Sequence, residues 1–358
     1  SMSRTFINGL SCISCQPTFT STFPFSFLEK QGDNILTALE PDYKPFISPA
    51  ASRRMAKGVK MGVATATEAL KQAQIAMPEA ILVGTGMGCL QDSEKFLKGI
   101  LDNQEQYLTP TAFIQSTHNT VAGQIALNMQ CKGMNFTYVN GNFSFESALL
   151  EAKMQMEQSL LKEILIGGVE EQAPHTLYLY ELAGILKKKE ELSEDLLSSE
   201  TSGICLGEGA SFFALSDKKN ENSFAEVINI SLCNQLEPDE IAEFVKNFLS
   251  REGITLSDIE MVISGRNGNI ADTPYFSHFE HLFPSAPILC YKHLCGEFFT
   301  ASSFGLWAAC HILKTGIIPP EMKLYPEKEG KQNPTSYLLL YNQSLGKEHS
   351  LILLKKAL

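Results

Sequence analysis

Ala80-Ile81-Leu82-Val83-Gly84-Thr85-Gly86-Met87-Gly88 reads as a buried strand opening into a glycine turn. A short apolar run without polar alternation suits a strand covered on both faces, as in sheets packed between helices. The flanking sequence agrees. Arg53 to Gln74 sets Ala64, Ala66, Ala69 and Leu70 among good helix formers, and Asp92 to Ile100 predicts another helix. Val121 to Ala126 predicts a tightly packed helix, followed by a turn at Gly133 and a strand through Phe136, Tyr138 and Val139. A helix from Phe143 to Leu160 and a strand from Glu163 to Ile166, closed by Gly167-Gly168, continue the α/β alternation.

Lys187 to Thr201 is charge-rich and predicts an exposed connection, and Gly207-Glu208-Gly209-Ala210 leads into the apolar run Ser211 to Leu215. Asp217 to Asn222 is the expected internal boundary, giving one half at 2–216 and a second at 223–358. The second half predicts strands at Glu226 to Ile230, Ile259 to Ile263 and Pro287 to Cys290, and helices at Pro238 to Leu249 and Ala301 to Leu313. A last strand pair is expected at Tyr337 to Tyr341 and Ser350 to Leu354. At roughly 150 residues per domain, 358 residues allow two such halves.

The 44% apolar content excludes a disordered or collagen-like chain. A net charge of −11 opposes a phosphate backbone, so nucleic acid is not an expected partner. No stretch has the length and apolarity of a membrane span. Nine scattered cysteines without a leader-like segment suggest reduced thiols and a cytoplasmic setting. Cys12 and Cys15 have CxxC spacing but no second pair at zinc-ligand distance, and are read as unrelated thiols. His278 and His281, with Asp272 nearby, are read as surface histidines rather than metal ligands. Gly84, Gly86 and Gly88 lack a Walker lysine, so tight packing is the reading over a phosphate cradle. No cofactor or metal is expected.

Five landmarks in order carry a family resemblance. They are Ser52-Arg53-Arg54-Met55 before the Ala-rich helix, Gly84 to Gly88, Ser116-Thr117-His118-Asn119-Thr120-Val121-Ala122-Gly123-Gln124, Gly167-Gly168-Val169-Glu170, and Gly203-Ile204-Cys205-Leu206-Gly207-Glu208-Gly209-Ala210. Together they resemble the beta-ketoacyl synthases of the thiolase superfamily, over nearly the whole chain. The resemblance implies an α/β protein with the thiolase-like five-layered αβαβα fold, made of two pseudo-equivalent halves and normally dimeric.

The resemblance also points to positions where chemistry would occur. The family's nucleophilic cysteine lies nine residues after a glycine resembling Gly133, which here is Asn142. The register puts Leu149 and Ala152 on the inward face of the following helix, whereas Ser144 as nucleophile would put Glu151 there. An amide cannot attack a thioester. Asn142 is expected instead to cap the helix starting at Phe143. Arg266 stands where the family has its first catalytic histidine and Glu297 where it has its second, while the family lysine is kept as Lys292. Arg266 and Glu297 are expected to face one another as a hydrogen-bonded pair, because two unpaired charges in a cavity are costly. Tyr341-Asn342-Gln343-Ser344-Leu345-Gly346 has a single glycine where ketosynthases carry a glycine-rich gating loop.

His118 and Asn119 are expected to support a polar network near the pocket and dimer region, direct substrate contact being the alternative. Phe136, Tyr138, Phe143 and Phe145 straddle the former nucleophile and are expected to fill a core or acyl tunnel, with Phe136 to Asn140 resembling the family strand along the dimer axis. Cys295 is read as a semi-buried thiol rather than a nucleophile. The resemblance thus implies a chain length factor: a non-catalytic subunit paired with an intact ketosynthase, shaping an acyl tunnel in polyketide, aryl polyene or fatty-acid-like biosynthesis. Acyl carrier protein is a further candidate partner. The competing readings are an acyl-transferring enzyme with another nucleophile, such as Ser144 or Cys295, and a homodimeric acyl-binding scaffold.

Overall fold

A computed structural model describes residues 2–30, 32–86, 120–139, 143–192, 195–326 and 337–358. The expected helix at Asp92 to Ile100 lies outside these residues. The described strands are β1 (Phe6–Ile13), β2 (Ile35–Leu36), β3 (Ala80–Gly84), β4 (Met134–Tyr138), β5 (Glu163–Glu170), β6 (Leu206–Gly207), β7 (Gly209–Ser216), β8 (Ala225–Asn234), β9 (Ile259–Ser264), β10 (Ile288–Cys290), β11 (Tyr337–Ser344) and β12 (Glu348–Lys355). The helices are α1 (Pro49–Ser52), α2 (Lys57–Ala73), α3 (Thr120–Asn128), α4 (Ser144–Glu157), α5 (Pro174–Leu182), α6 (Ile241–Arg251), α7 (Thr273–Glu280), α8 (Lys292–Cys295) and α9 (Ser302–Thr315).

Ten strands form one sheet in the order β10-β9-β11-β12-β8-β1-β7-β5-β3-β4. Reading outward from the middle, β1-β7-β5-β3-β4 and β8-β12-β11-β9-β10 repeat the same connectivity. In each half the first strand pairs antiparallel with the last, the last pairs antiparallel with the fourth, and the remaining neighbours run parallel. The halves meet at a short antiparallel junction, Phe6 opposite Glu226 and Ile7 opposite Ala225. The duplication that sequence similarity could not establish is thus visible in topology.

Strand pleating sorts the apolar side chains into three cores. Ala80 and Leu82 of β3 share the central core with Met261 and Ile263 of β9, and α4 and α9 fill the space between the two half-sheets. Ile81 and Val83 face the opposite way onto α2 and α3. Val262, Leu339 and Tyr341 turn outward onto α6 and α7. Helix, sheet, helix, sheet, helix follow in five layers. At the centre, Gly84 lets β3 meet the start of α4: a Cβ there would lie 2.4 Å from the Phe145 backbone nitrogen.

Two sequence expectations need correction, and one strand, β1, was not expected at all. The central strand β1 carries no alternation because all eight of its residues are buried; its Asn8 is satisfied by Lys218 and Ser223. The connection after Lys187 is not simply exposed. Lys187 is buried and its Nζ donates to Thr201 O and Oγ1, while Leu192 and Leu197 anchor the segment to the core. Finally, Tyr341 to Ser344 belongs to β11, which pairs in register with β12 as far as Ser344 opposite Glu348. Only a tight turn remains of the expected loop, with Leu345 at φ 51° and Gly346 at φ 71°. Among the described residues no helix is long and apolar enough to cross a membrane.

Candidate functional site

Lys292, Glu297 and the turn after β9 meet where the C-terminal half-sheet ends. Glu297 is pinned to β6 by its backbone: its N–H donates to Cys205 O at 2.7 Å and its carbonyl accepts from Gly207 N–H at 3.0 Å. Its Oε2 accepts from Lys292 Nζ at 2.7 Å and from Asn267 Nδ2 at 2.9 Å. Lys292 is 1% exposed. Its ammonium also donates to Asn342 Oδ1 at 2.8 Å and lies 5.7 Å from the centre of the Phe276 ring. A buried ammonium held this way is a fixed charge, not a mobile one.

Arg266 points elsewhere. Its Nε and Nη2 donate to the two carboxylate oxygens of Glu280 at 3.0 and 2.6 Å, and Nη2 also donates to Ser277 Oγ at 2.9 Å. Ser264 Oγ donates to the same Glu280 at 2.7 Å. The expected Arg266 to Glu297 pair is therefore absent. The end of α7 offers Arg266 a buried carboxylate matching both arms of its guanidinium, while Glu297 already has Lys292.

Asp272 ties the surroundings together. Its Oδ2 accepts from Asn267 and Asn269, each at 3.1 Å. Its Oδ1 accepts from Gln343 Nε2 at 2.9 Å and from Leu345 N–H at 3.0 Å. One carboxylate thus fastens the turn after β9 to the β11–β12 hairpin. Between them opens a cavity of about 320 Å³, with Asn267, Asn269, Asp272, Glu297 and Gln343 among its polar lining and Tyr180, Ile185, Leu206, Phe298 and Phe299 among its apolar walls.

A second buried carboxylate, Glu146 on α4, accepts from Ser302 Oγ at 2.7 Å and Ser350 Oγ at 2.9 Å, linking the two halves. Burial pushes its acid up to about 7 against the pull of those hydroxyls. Glu170, at the end of β5, accepts from Gly86 N–H, and burial raises it to about 8.

Asn142, His118 and Asn119 lie outside the described residues. The cap position of α4 falls on Phe143, whose side chain makes no capping bond, and the cap expected of Asn142 lies outside the described residues. Leu149 and Ala152 are buried as the register required. Ser144 and Cys295 are both fully buried, and burial holds the Cys295 thiol well above its ordinary value. Phe143 is buried, Tyr138 packs partly against the central core, and Phe136 is 52% exposed on the edge strand β4. None of the three lines the 320 Å³ cavity among the described residues. Cys12 and Cys15 are buried free thiols, and His278 and His281 are exposed.

Asn267, Asp272, Gln343 and Glu146 were missed as site residues. Their signal was weak: Asn267 and Asp272 stand within six residues of Arg266 in sequence, but their convergence with Gln343 depends on the β9–β11 pairing.

Two equivalent half-sheets enclosing paired helices, with polar turns gathered at one end, define a thiolase-like α/β protein. Residues 30–183 match the family described as Beta-ketoacyl synthase, N-terminal domain. Among solved structures, a beta-ketoacyl synthase from Burkholderia phymatum STM815 is similar at 14% identity, with a TM-score of 0.81 and both chains covered 100%. The ishigamide ketosynthase/chain length factor is similar at 16% identity and a TM-score of 0.79, again over 100% of each chain. The ketosynthase ApeO in complex with its chain length factor ApeC, from Xenorhabdus doucetiae, is similar at 13% identity and a TM-score of 0.77, covering 99% of this chain and 98% of that one. At these identities the likeness is one of fold. No curated protein sequence matches this chain significantly.

Proposed function

We propose that this chain is a ketosynthase-like subunit without condensing activity of its own, which pairs with an intact ketosynthase and forms part of the wall around its growing acyl chain. The observation that carries this reading is the carboxylate of Glu297, pinned by Lys292 and Asn267, at the position the family gives to an imidazole. A carboxylate cannot donate a hydrogen bond to a thioester oxygen, and it repels the carboxylate that a malonyl unit must lose. Arg266 is turned to Glu280 and does not line the cavity at Glu297. Asn142 is an amide where the family carries its thiolate. The burial of Ser144 and Cys295 speaks against either as a substitute nucleophile.

Pairing is supported by β4, an edge strand of the sheet among the described residues, where Met134 and Phe136 are exposed. An unpaired apolar edge is a template for another strand. The halves at 2–216 and 223–358 form the subunit, and its pathway is of the polyketide, aryl polyene or fatty-acid-like kind. Free buried thiols suit a reducing, cytoplasmic compartment.

Co-purification from the native cell tests the pairing. The reading expects a ketosynthase with an intact cysteine as the major stoichiometric partner, bound more tightly than a second copy of this chain. A stable homodimer that excludes such a ketosynthase would overturn it.

A further inference from the structure

The cavity at Glu297 has a polarity of its own. Glu297 Oε2 is fully engaged by Lys292 and Asn267, whereas no hydrogen bond reaches Oε1 among the described residues. The side chain lines the cavity and stays 15% exposed. Asp272 differs, since both its oxygens are taken by donors of the protein. Two carboxylates, Glu297 and Asp272, line the cavity, Lys292 pairs with Glu297 without itself lining it, and the walls beyond are aromatic and aliphatic. A single open carboxylate oxygen beside apolar walls accepts a hydrogen bond from a ligand and disfavours a second anion.

We propose that this cavity selects acyl chains carrying a hydroxyl, which donates to Glu297 Oε1, over chains carrying a ketone at the same carbon or ending in a carboxylate. The inference rests on the reading of this cavity as part of an acyl-chain wall. A hydroxyl meets the open oxygen with a charge-assisted hydrogen bond. A ketone presents only lone pairs to it, and a carboxylate adds like charge.

The substitution Glu297→Gln supplies an internal control. Lys292 Nζ and Asn267 Nδ2 are both donors, so the amide oxygen of Gln must face them and its NH2 must face the cavity. A donor there serves ketone and hydroxyl alike.

The test is calorimetric titration of the purified full chain with N-acetylcysteamine thioesters of 3-hydroxyoctanoate, 7-hydroxyoctanoate, their keto counterparts, octanoate and malonate. The expected result is that at least one hydroxy thioester binds about tenfold or more tightly than its keto counterpart. Malonyl thioester should give no measurable binding, and the hydroxy-to-keto ratio should fall to about one in Glu297→Gln. A ratio taken within one protein is insensitive to the fraction of variant that folds. Equal affinity for hydroxy and keto chains in the unsubstituted protein, unchanged discrimination in Glu297→Gln, or no binding of any thioester would overturn the inference. The proposed pairing would stand or fall separately, on co-purification with a ketosynthase.

Discussion

Buried charge decides most of what single residues do in this protein. Arg266 and Glu280 are 11% and 1% exposed as side chains, so removing one partner strands the other. Arg266→Met should cost about 3–5 kcal/mol in urea unfolding, and the double variant Arg266→Met/Glu280→Leu should recover much of that loss. Glu146 and Glu170 make a different kind of prediction. Their acids, raised by burial to about 7 and about 8 from 4.5, bind protons in the native state that the unfolded chain has already lost. The stability these two groups contribute is therefore fully present below about pH 4.5 and is lost as pH rises to about 8. At 1.36 kcal/mol per unit, Glu146 alone accounts for roughly 3 kcal/mol of the decline. Unfolding curves from pH 5 to pH 8.5 should slope less in Glu146→Gln, and an unchanged slope would refute the assignment. The charges at positions 266 and 297 were legible in the sequence, but their partners were not. Glu280 and Lys292 become the nearest counter-charges only after α7 and the turn following β10 have folded back onto the end of β9.

Elements with a strong local signature were read correctly. The unbroken apolar run of β3 and the helix-former stretches of α2, α4 and α9 are visible locally. β1 was invisible because, although also covered on both faces, it carries Asn8, Gly9 and Ser11 inside it and so shows neither a period nor an unbroken apolar run. The strand pair of β11 and β12 was expected, but its closing end from Asn342 was read as a loop because the turn places a leucine, Leu345, at positive φ, and Asp272 holds that turn from a distant stretch of chain. The contact of β3 with α4 is the tightest constraint among these elements. Gly84→Ala would drive a methyl into the backbone of α4 and should lower stability by roughly 1–3 kcal/mol or more in thermal or urea unfolding. Phe136→Lys on the exposed edge should change the stability of the isolated chain by no more than about 0.5 kcal/mol, yet weaken association with the partner subunit measured by analytical ultracentrifugation.

At the scale of the whole molecule, the half-sheets preserve a common plan, and the proposed loss of catalysis lies in the polar turns at their ends. The connectivity and the central helices are those of the fold this chain shares with the similar ketosynthase structures, whereas its sequence carries an amide, a guanidinium and a carboxylate at 142, 266 and 297. The measurement that bears on this most directly is intact-protein mass spectrometry of the purified chain, run beside a carbon–carbon bond-forming assay with acyl and malonyl carrier protein. Without a ketosynthase, the chain should keep its unmodified mass and yield no condensed product. A covalent acyl adduct on the chain, or elongation in its presence alone, would contradict the account.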